Sequence, residues 1–127
     1  PGAEEALEAL SKKYKLYLVS NGTARVQAGR LKSANISRFF ETIFVSQEVG
    51  ADKPDIAYFE RVFARIEGFQ KEKAIIVGDS LTSDIQGGIN AGIRTCWVNP
   101  KGKPVTNVVP DYQIESIAQL EKLLETL

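Results

Sequence analysis

The chain has 127 residues, 43% hydrophobic and 25% charged, values that fit one globular domain able to bury its own core. Its 16 basic and 16 acidic residues cancel, which excludes the charge footprint of a nucleic-acid binder or a membrane-surface binder. The absence of His excludes histidine triads and histidine zinc sites, lone Cys96 excludes an internal disulfide and agrees with a reducing cytoplasmic setting, and no apolar run approaches the roughly 20 residues of a membrane span.

In chain order, Ala3, Ala6, Leu7 and Leu10 recur at helical spacing and predict a helix over Ala3 to Lys13. Tyr14 to Val19 reads as a strand that ends in the turn or cap cluster Ser20-Asn21-Gly22-Thr23. A helix over Ala24 to Ala34 and a strand over Thr42 to Ser46 follow. Lys53-Pro54-Asp55 opens a helix with the stripe Ile56, Phe59, Val62, Phe63 and Ile66, and Pro54 is expected in its first turn. Ala74 to Val77 is a strand running into Gly78-Asp79, and a Gly-rich helix spans about Ser83 to Ala91. Arg94 to Val98 is the next strand, with Cys96 in its apolar run read as core. A proline-rich loop from Pro100 to Pro110 leads to a short strand at Tyr112 to Ile114. Ser116 is expected to cap a last helix carrying Ile117, Leu120, Leu123, Leu124 and Leu127.

Strands alternating with helices predict a three-layer, Rossmann-like α/β fold with a parallel sheet and helices on both faces. The strands are continuous apolar runs, as sheets covered on both faces require. In such sheets ligands bind beyond the carboxyl ends of the strands. There the first strand delivers Ser20, Asn21 and Gly22, and the loop after the second delivers Asp52, Lys53 and Asp55. The third delivers Asp79 and then Asp84, and the fourth delivers Asn99 and Lys101. A hydroxyl, an ammonium and a carboxylate pair are parts for holding a phosphate beside a hard cation. Ser20 and the amides after it can donate to phosphate oxygens. Lys53 can neutralise phosphate charge, and Asp79 with Asp84 are hard oxygen ligands suited to magnesium. Gly78 would allow a sharp exit from the strand. Each member also has a plainer reading: Ser20 to Thr23 as a helix cap, Lys53 as a solvated lysine, Asp79 as a cap and Asp84 as a first-turn acid beside the helix dipole. The functional signal is the ordered set. Tyr58, Phe59 and Phe63 read as core, and no cluster marks a base pocket.

The set resembles the motifs of the haloacid-dehalogenase superfamily of phosphohydrolases. Leu18-Val19-Ser20-Asn21-Gly22 resembles its second motif, Ala51-Asp52-Lys53-Pro54 its third, and Gly78 to Asp84 its acidic fourth. The resemblance covers roughly Pro1 to Pro100 and leans toward the branch of pyrimidine 5′-nucleotidases. It implies a magnesium-dependent phosphate monoester hydrolase that works through an aspartyl-phosphate. It further implies Asp79 as direct metal ligand, Asp84 as a ligand through water or an orienting group, and Ser20, Asn21 and Gly22 as phosphate binders. Lys53 would be the catalytic lysine, also contacting phosphate. The implied partner is a small phosphorylated metabolite such as a nucleoside monophosphate; the sequence is silent on oligomeric state and on the exact substrate.

One departure stands out: the sequence holds no Asp-x-Asp, the family's first motif, since Asp52 and Asp55 are three apart. Together with the absence of Met and the start at Pro1, this leads to the expectation that 1–127 is one partial core domain. The cap and the segment bearing the nucleophile and central strand would then precede Pro1, and the chain would be inactive alone. The alternative is a non-catalytic binding module that kept the fold. A phosphoacceptor receiver would meet its acids before its Ser/Thr and Lys, whereas the order here is Ser20, Lys53, Asp79. A dehalogenase of the same superfamily would lack Gly78-Asp79.

Overall fold

A computed structural model of the chain describes residues 3–20, 37–53 and 55–127. The expected helix over Ala24 to Ala34, together with Asn21, Gly22 and Pro54, lies outside these residues. The described residues form two compact units, one built from the chain up to Gly50 plus Ile117–Leu127, the other from Ala51–Ser116.

In the first unit, helix α1 spans Ala3–Lys13, with Glu4 and Glu5 in its first turn and Lys12 and Lys13 in its last. That placement opposes the helix dipole at both ends. Strand β1 is Tyr17–Ser20 and pairs in parallel with β2, Thr42–Val45, in the register Tyr17 with Thr42 to Ser20 with Val45. The strand thus begins three residues later than the apolar run suggests, because Tyr14 is exposed and its amide still donates to Leu10 of α1 at 2.8 Å. Ser46, expected to end β2, instead starts the short helix α2, Ser46–Val49, closed by Gly50. Among the described residues of this unit, Leu10, Phe39, Phe44, Val45, Val49 and Leu120 are the buried apolar ones. The last helix, α3, is Leu120–Glu125, preceded by a 3₁₀ turn at Ile117–Gln119. Ser116 therefore stands before that turn, and Gln119 occupies the N-cap position of α3. Lys13 joins α1 to α3 by ion pairs of 3.1 Å to both Glu121 and Glu125, and these acceptors raise its pKa, Glu125 foremost.

The second unit holds a three-stranded parallel sheet. Its strands are β3, Ile75–Gly78, β4, Arg94–Val98, and β5, Tyr112–Ile114, with β4 in the middle. Thr95, Cys96 and Trp97 are consecutive and all buried, so both faces of β4 are covered. Helix α4, Ile56–Ala64, buries Tyr58, Phe59 and Val62. Its stripe differs from the expected one: Ile56 is 45% exposed while Tyr58 is fully buried. Asp55 caps the helix by accepting from the Ala57 amide at 3.0 Å, so Ile56 is its first residue and Ile66 lies past its end. Helix α5, Gln86–Ala91, follows β3 through a wide π turn, Leu81–Ile85. A Cβ on Gly88 would lie 2.5 Å from the Ile76 side chain and 2.6 Å from that of Thr95, so this glycine lets α5 press against β3 and β4. Gly92, at φ 76°, ends α5; its amide bonds Ile89 and that of Ile93 bonds Gly88, both at 3.1 Å, a Schellman closure.

Side chains extend the sheet beyond its backbone ladder. Asp111 accepts from the Thr95 amide at 2.9 Å and from its hydroxyl at 3.3 Å, while the Asp111 amide donates back to Thr95 Oγ1 at 2.9 Å. At the other end, Asn99 is 3% exposed and clasps Lys103 through both its amide groups. It also donates to Gln113 Oε1 at 2.7 Å. The fold is α/β with parallel pairing in every described strand pair.

Candidate functional site

The chemistry of the second unit gathers where β3 ends. Gly78 is paired with Trp97 and is the last rung of the β3–β4 ladder, so Asp79 is the first residue beyond it. Asp79 is exposed. The π turn then bends the chain back. The Ser80 carbonyl accepts from the amides of both Asp84, at 3.0 Å, and Ile85, at 3.1 Å. Ser80 Oγ accepts from the Ser83 amide at 3.2 Å and so caps the turn. Widened turns of this kind concentrate at functional sites because they redirect a side chain without breaking the helix.

The side chain redirected here is Asp84. Its carboxylate fills the space that a Cβ on Gly78 would need. The glycine is thus required for close approach, not for the sharp exit expected of it. One Asp84 oxygen accepts from the Ser80 amide at 3.4 Å, and the other is paired with Lys53 Nζ at 2.5 Å. The two side chains are only 8% and 12% exposed, so this is a buried ion pair. Lys53 is set by a tight turn, closed by the Asp55 amide bonding Asp52 at 2.9 Å, and by Asp55 capping α4. The first turn of α4 begins at Ile56, directly after this capped turn.

The structure thus brings together Lys53 and Asp84 and places Asp79 at the adjoining strand end. Ser20 ends β1 in the first unit, and Asn21 and Gly22 fall outside the described residues. Asn99, expected at the mouth of β4, is turned to fastening the following loop, while Lys101 is exposed. Two contributors were not anticipated. Ser80 holds the π turn, and Trp97, 3% exposed, donates its indole N–H to the Asp79 carbonyl at 3.1 Å. The sequence signal for Ser80 was its position three before Ser83 at the head of a helix. For Trp97 it was a lone indole in a strand, whose buried N–H must find an acceptor.

Among the described residues no group of three or more His, Cys, Asp and Glu gathers as a ready cation cage. Magnesium takes one or two carboxylates and completes its shell with water and substrate oxygens. Asp79 is exposed and available as such a ligand. Asp84, with both oxygens engaged, fits an outer position. Cys96 is fully buried and desolvation raises its thiol pKa to about 11, which makes it inert core as expected.

Parallel strands alternating with helices define an α/β protein. Comparison with known proteins makes this specific. The profile of the haloacid dehalogenase-like hydrolase family matches residues 1–98. The chain is 43% identical over 124 residues to HAD-hydrolase YfnB of Bacillus subtilis, covering 97% of this chain and 53% of that protein. It is 40% identical over 126 residues to the pyrimidine 5′-nucleotidase PynA of Streptococcus pneumoniae, covering 98% of this chain and 53% of PynA. Identity to the pyrimidine 5′-nucleotidase YjjG of Escherichia coli is 33% over 125 residues, covering 98% of this chain and 56% of YjjG. A crystal structure of YfnB bound to magnesium superposes with a TM-score of 0.93, covering 97% of this chain and 54% of that one. The chain belongs to the haloacid dehalogenase-like hydrolase family. It spans about half the length of the curated relatives it matches. Among the described residues no helix is long and apolar enough to cross a membrane.

Proposed function

We propose that this chain carries the cation-holding and charge-neutralising part of a magnesium-dependent phosphate monoester hydrolase of the nucleotidase type. The observation that carries the reading is the buried Lys53–Asp84 pair beside exposed Asp79 at the end of β3. Burying an ammonium and a carboxylate costs more than a surface pair would, and stability alone is a weak reason to keep one. A charge held in place is useful where negative charge develops in a transition state.

On this reading Asp79 is the direct ligand of magnesium, and Asp84 orients the shell around it. Bound magnesium would supply neutralisation of phosphate charge. Lys53, held by Asp84 and by the capped turn, presents its ammonium as a fixed charge for a phosphoryl oxygen. Ser20, Asn21 and Gly22 are assigned to phosphoryl binding on their motif alone. The family chemistry passes through an aspartyl-phosphate, and these 127 residues hold no Asp-x-Asp to form it, so they turn over no ester by themselves. The names of PynA and YjjG favour a pyrimidine nucleoside monophosphate as substrate. The setting is cytoplasmic.

A chimera tests this. The half of YfnB that this chain does not match is joined to the 127 residues, and phosphate release is measured on a panel of nucleoside monophosphates. Magnesium-dependent release is expected, with losses of roughly a hundredfold or more for Asp79→Asn and Lys53→Ala. A folded chimera without phosphatase activity overturns the reading. Robust turnover by the 127 residues alone, lost in Asp79→Ala, overturns the part that makes them inactive.

A further inference from the structure

We propose that Trp97 is the positioning residue of the acidic corner, fixing the Asp79 peptide so that its carboxylate is pre-aimed at a divalent cation. The proposal rests on the reading of Asp79 as a cation ligand. The restraints of the π turn all act from Ser80 onward: its carbonyl, amide and hydroxyl bond Asp84, Ile85 and Ser83. The indole of Trp97 holds the same Asp79–Ser80 peptide from its other side: it donates to the Asp79 carbonyl at 3.1 Å, a shorter bond than the 3.4 Å one from the Ser80 amide to Asp84.

The register explains how it can. Trp97 is paired with Gly78, so its ring starts level with the residue just before Asp79. Trp97 is 3% exposed, so its donor is packed in place, whereas Asp79 is exposed to solvent. An exposed carboxylate loses orientational freedom when it takes a cation. Anchoring its carbonyl to a buried ring removes part of that cost beforehand. The ordinary alternative is that a buried indole has merely satisfied its N–H. The two differ in what they do to cation affinity.

The 127-residue chain contains a single Trp, so its ¹⁵N-labelled form gives one indole N–H resonance. Substoichiometric Mn²⁺, the paramagnetic probe, should broaden that resonance, and Asp79→Asn should abolish the broadening. Absence of broadening in the unmodified chain removes the cation reading and the proposal with it. Trp97 is then replaced by benzothienylalanine, which keeps the ring shape and puts sulfur where the N–H was. Mn²⁺ affinity, read from the free-ion electron paramagnetic resonance signal, should fall roughly three- to tenfold, with the thermal midpoint in the absence of cation little changed. Trp97→Phe is the second variant. It should weaken Mn²⁺ by a similar factor, measured under conditions where circular dichroism shows it folded. Broadening in the unmodified chain together with unchanged affinity in the benzothienylalanine form overturns the positioning role and leaves the cation reading standing.

Discussion

Lys53→Met tests how strongly the buried pair is coupled to the fold. At 2.5 Å and an effective dielectric of 20, the two charges attract by about 7 kcal/mol, most of which is offset by taking them out of water. Methionine keeps the stem and removes the charge. It leaves the Asp84 carboxylate 12% exposed, wedged against Gly78, with only the 3.4 Å bond from the Ser80 amide. Removing one partner of such a pair costs about 3–5 kcal/mol, or roughly 10 to 20 °C of melting temperature for a chain of this size. Asp84→Asn, which keeps the shape, should cost a comparable amount by stranding the Lys53 ammonium. The double variant carries neither charge and should be more stable than either single one. Urea denaturation followed by Trp97 emission reads this, because Trp97 lies in the same compact unit as the pair. Single-variant costs below about 1 kcal/mol, or strictly additive costs, would show that the pair is solvated and would refute the argument.

Gly78→Ala should destabilise by about 1–3 kcal/mol, because its Cβ meets the Asp84 side chain from Cβ to carboxylate; in an Asp84→Gly background, which removes that Cβ as well, the same change should cost under about 1 kcal/mol in urea melts. Cys96 should resist thiol reagents at pH 8 until the chain unfolds, and labelling of the native chain at the unfolded rate would contradict its burial. Its raised pKa also fixes a sign: the stabilising effect is complete below pH 9 and is lost as pH climbs to about 11, since the unfolded thiol ionises first. Relative to Cys96→Ala, the chain should therefore lose up to about 3 kcal/mol between pH 9 and pH 11.

What the sequence made legible was periodic. Apolar runs placed β2 to β5 within a residue or so, and the end of the β3 run located Asp79 just beyond that strand. What escaped depended on three dimensions. The π turn at Leu81–Ile85 has no periodic signature, because the same residues read as the start of an α-helix. The pairing of Lys53 with Asp84 joins positions 31 apart, and nothing local announces it. Ile56 belongs to the apolar stripe yet is exposed, because a stripe shows which residues are apolar but not where the N-cap falls; Asp55 decides that. Asn99 was expected to face a ligand, yet a strand-end amide serves equally well to close a loop, and here it does.

The two fasteners that flank the proline-rich loop have an engineering consequence. Asn99 with Lys103 on one side, and Asp111 with Thr95 on the other, bond the chain on either side of residues 104–110. The register of β5 against β4 is set outside that stretch. The stretch is therefore a port: a tag, a reporter peptide or a small domain could be spliced between Lys103 and Asp111. Its ends would already be stapled, and the strand that follows would still find its place.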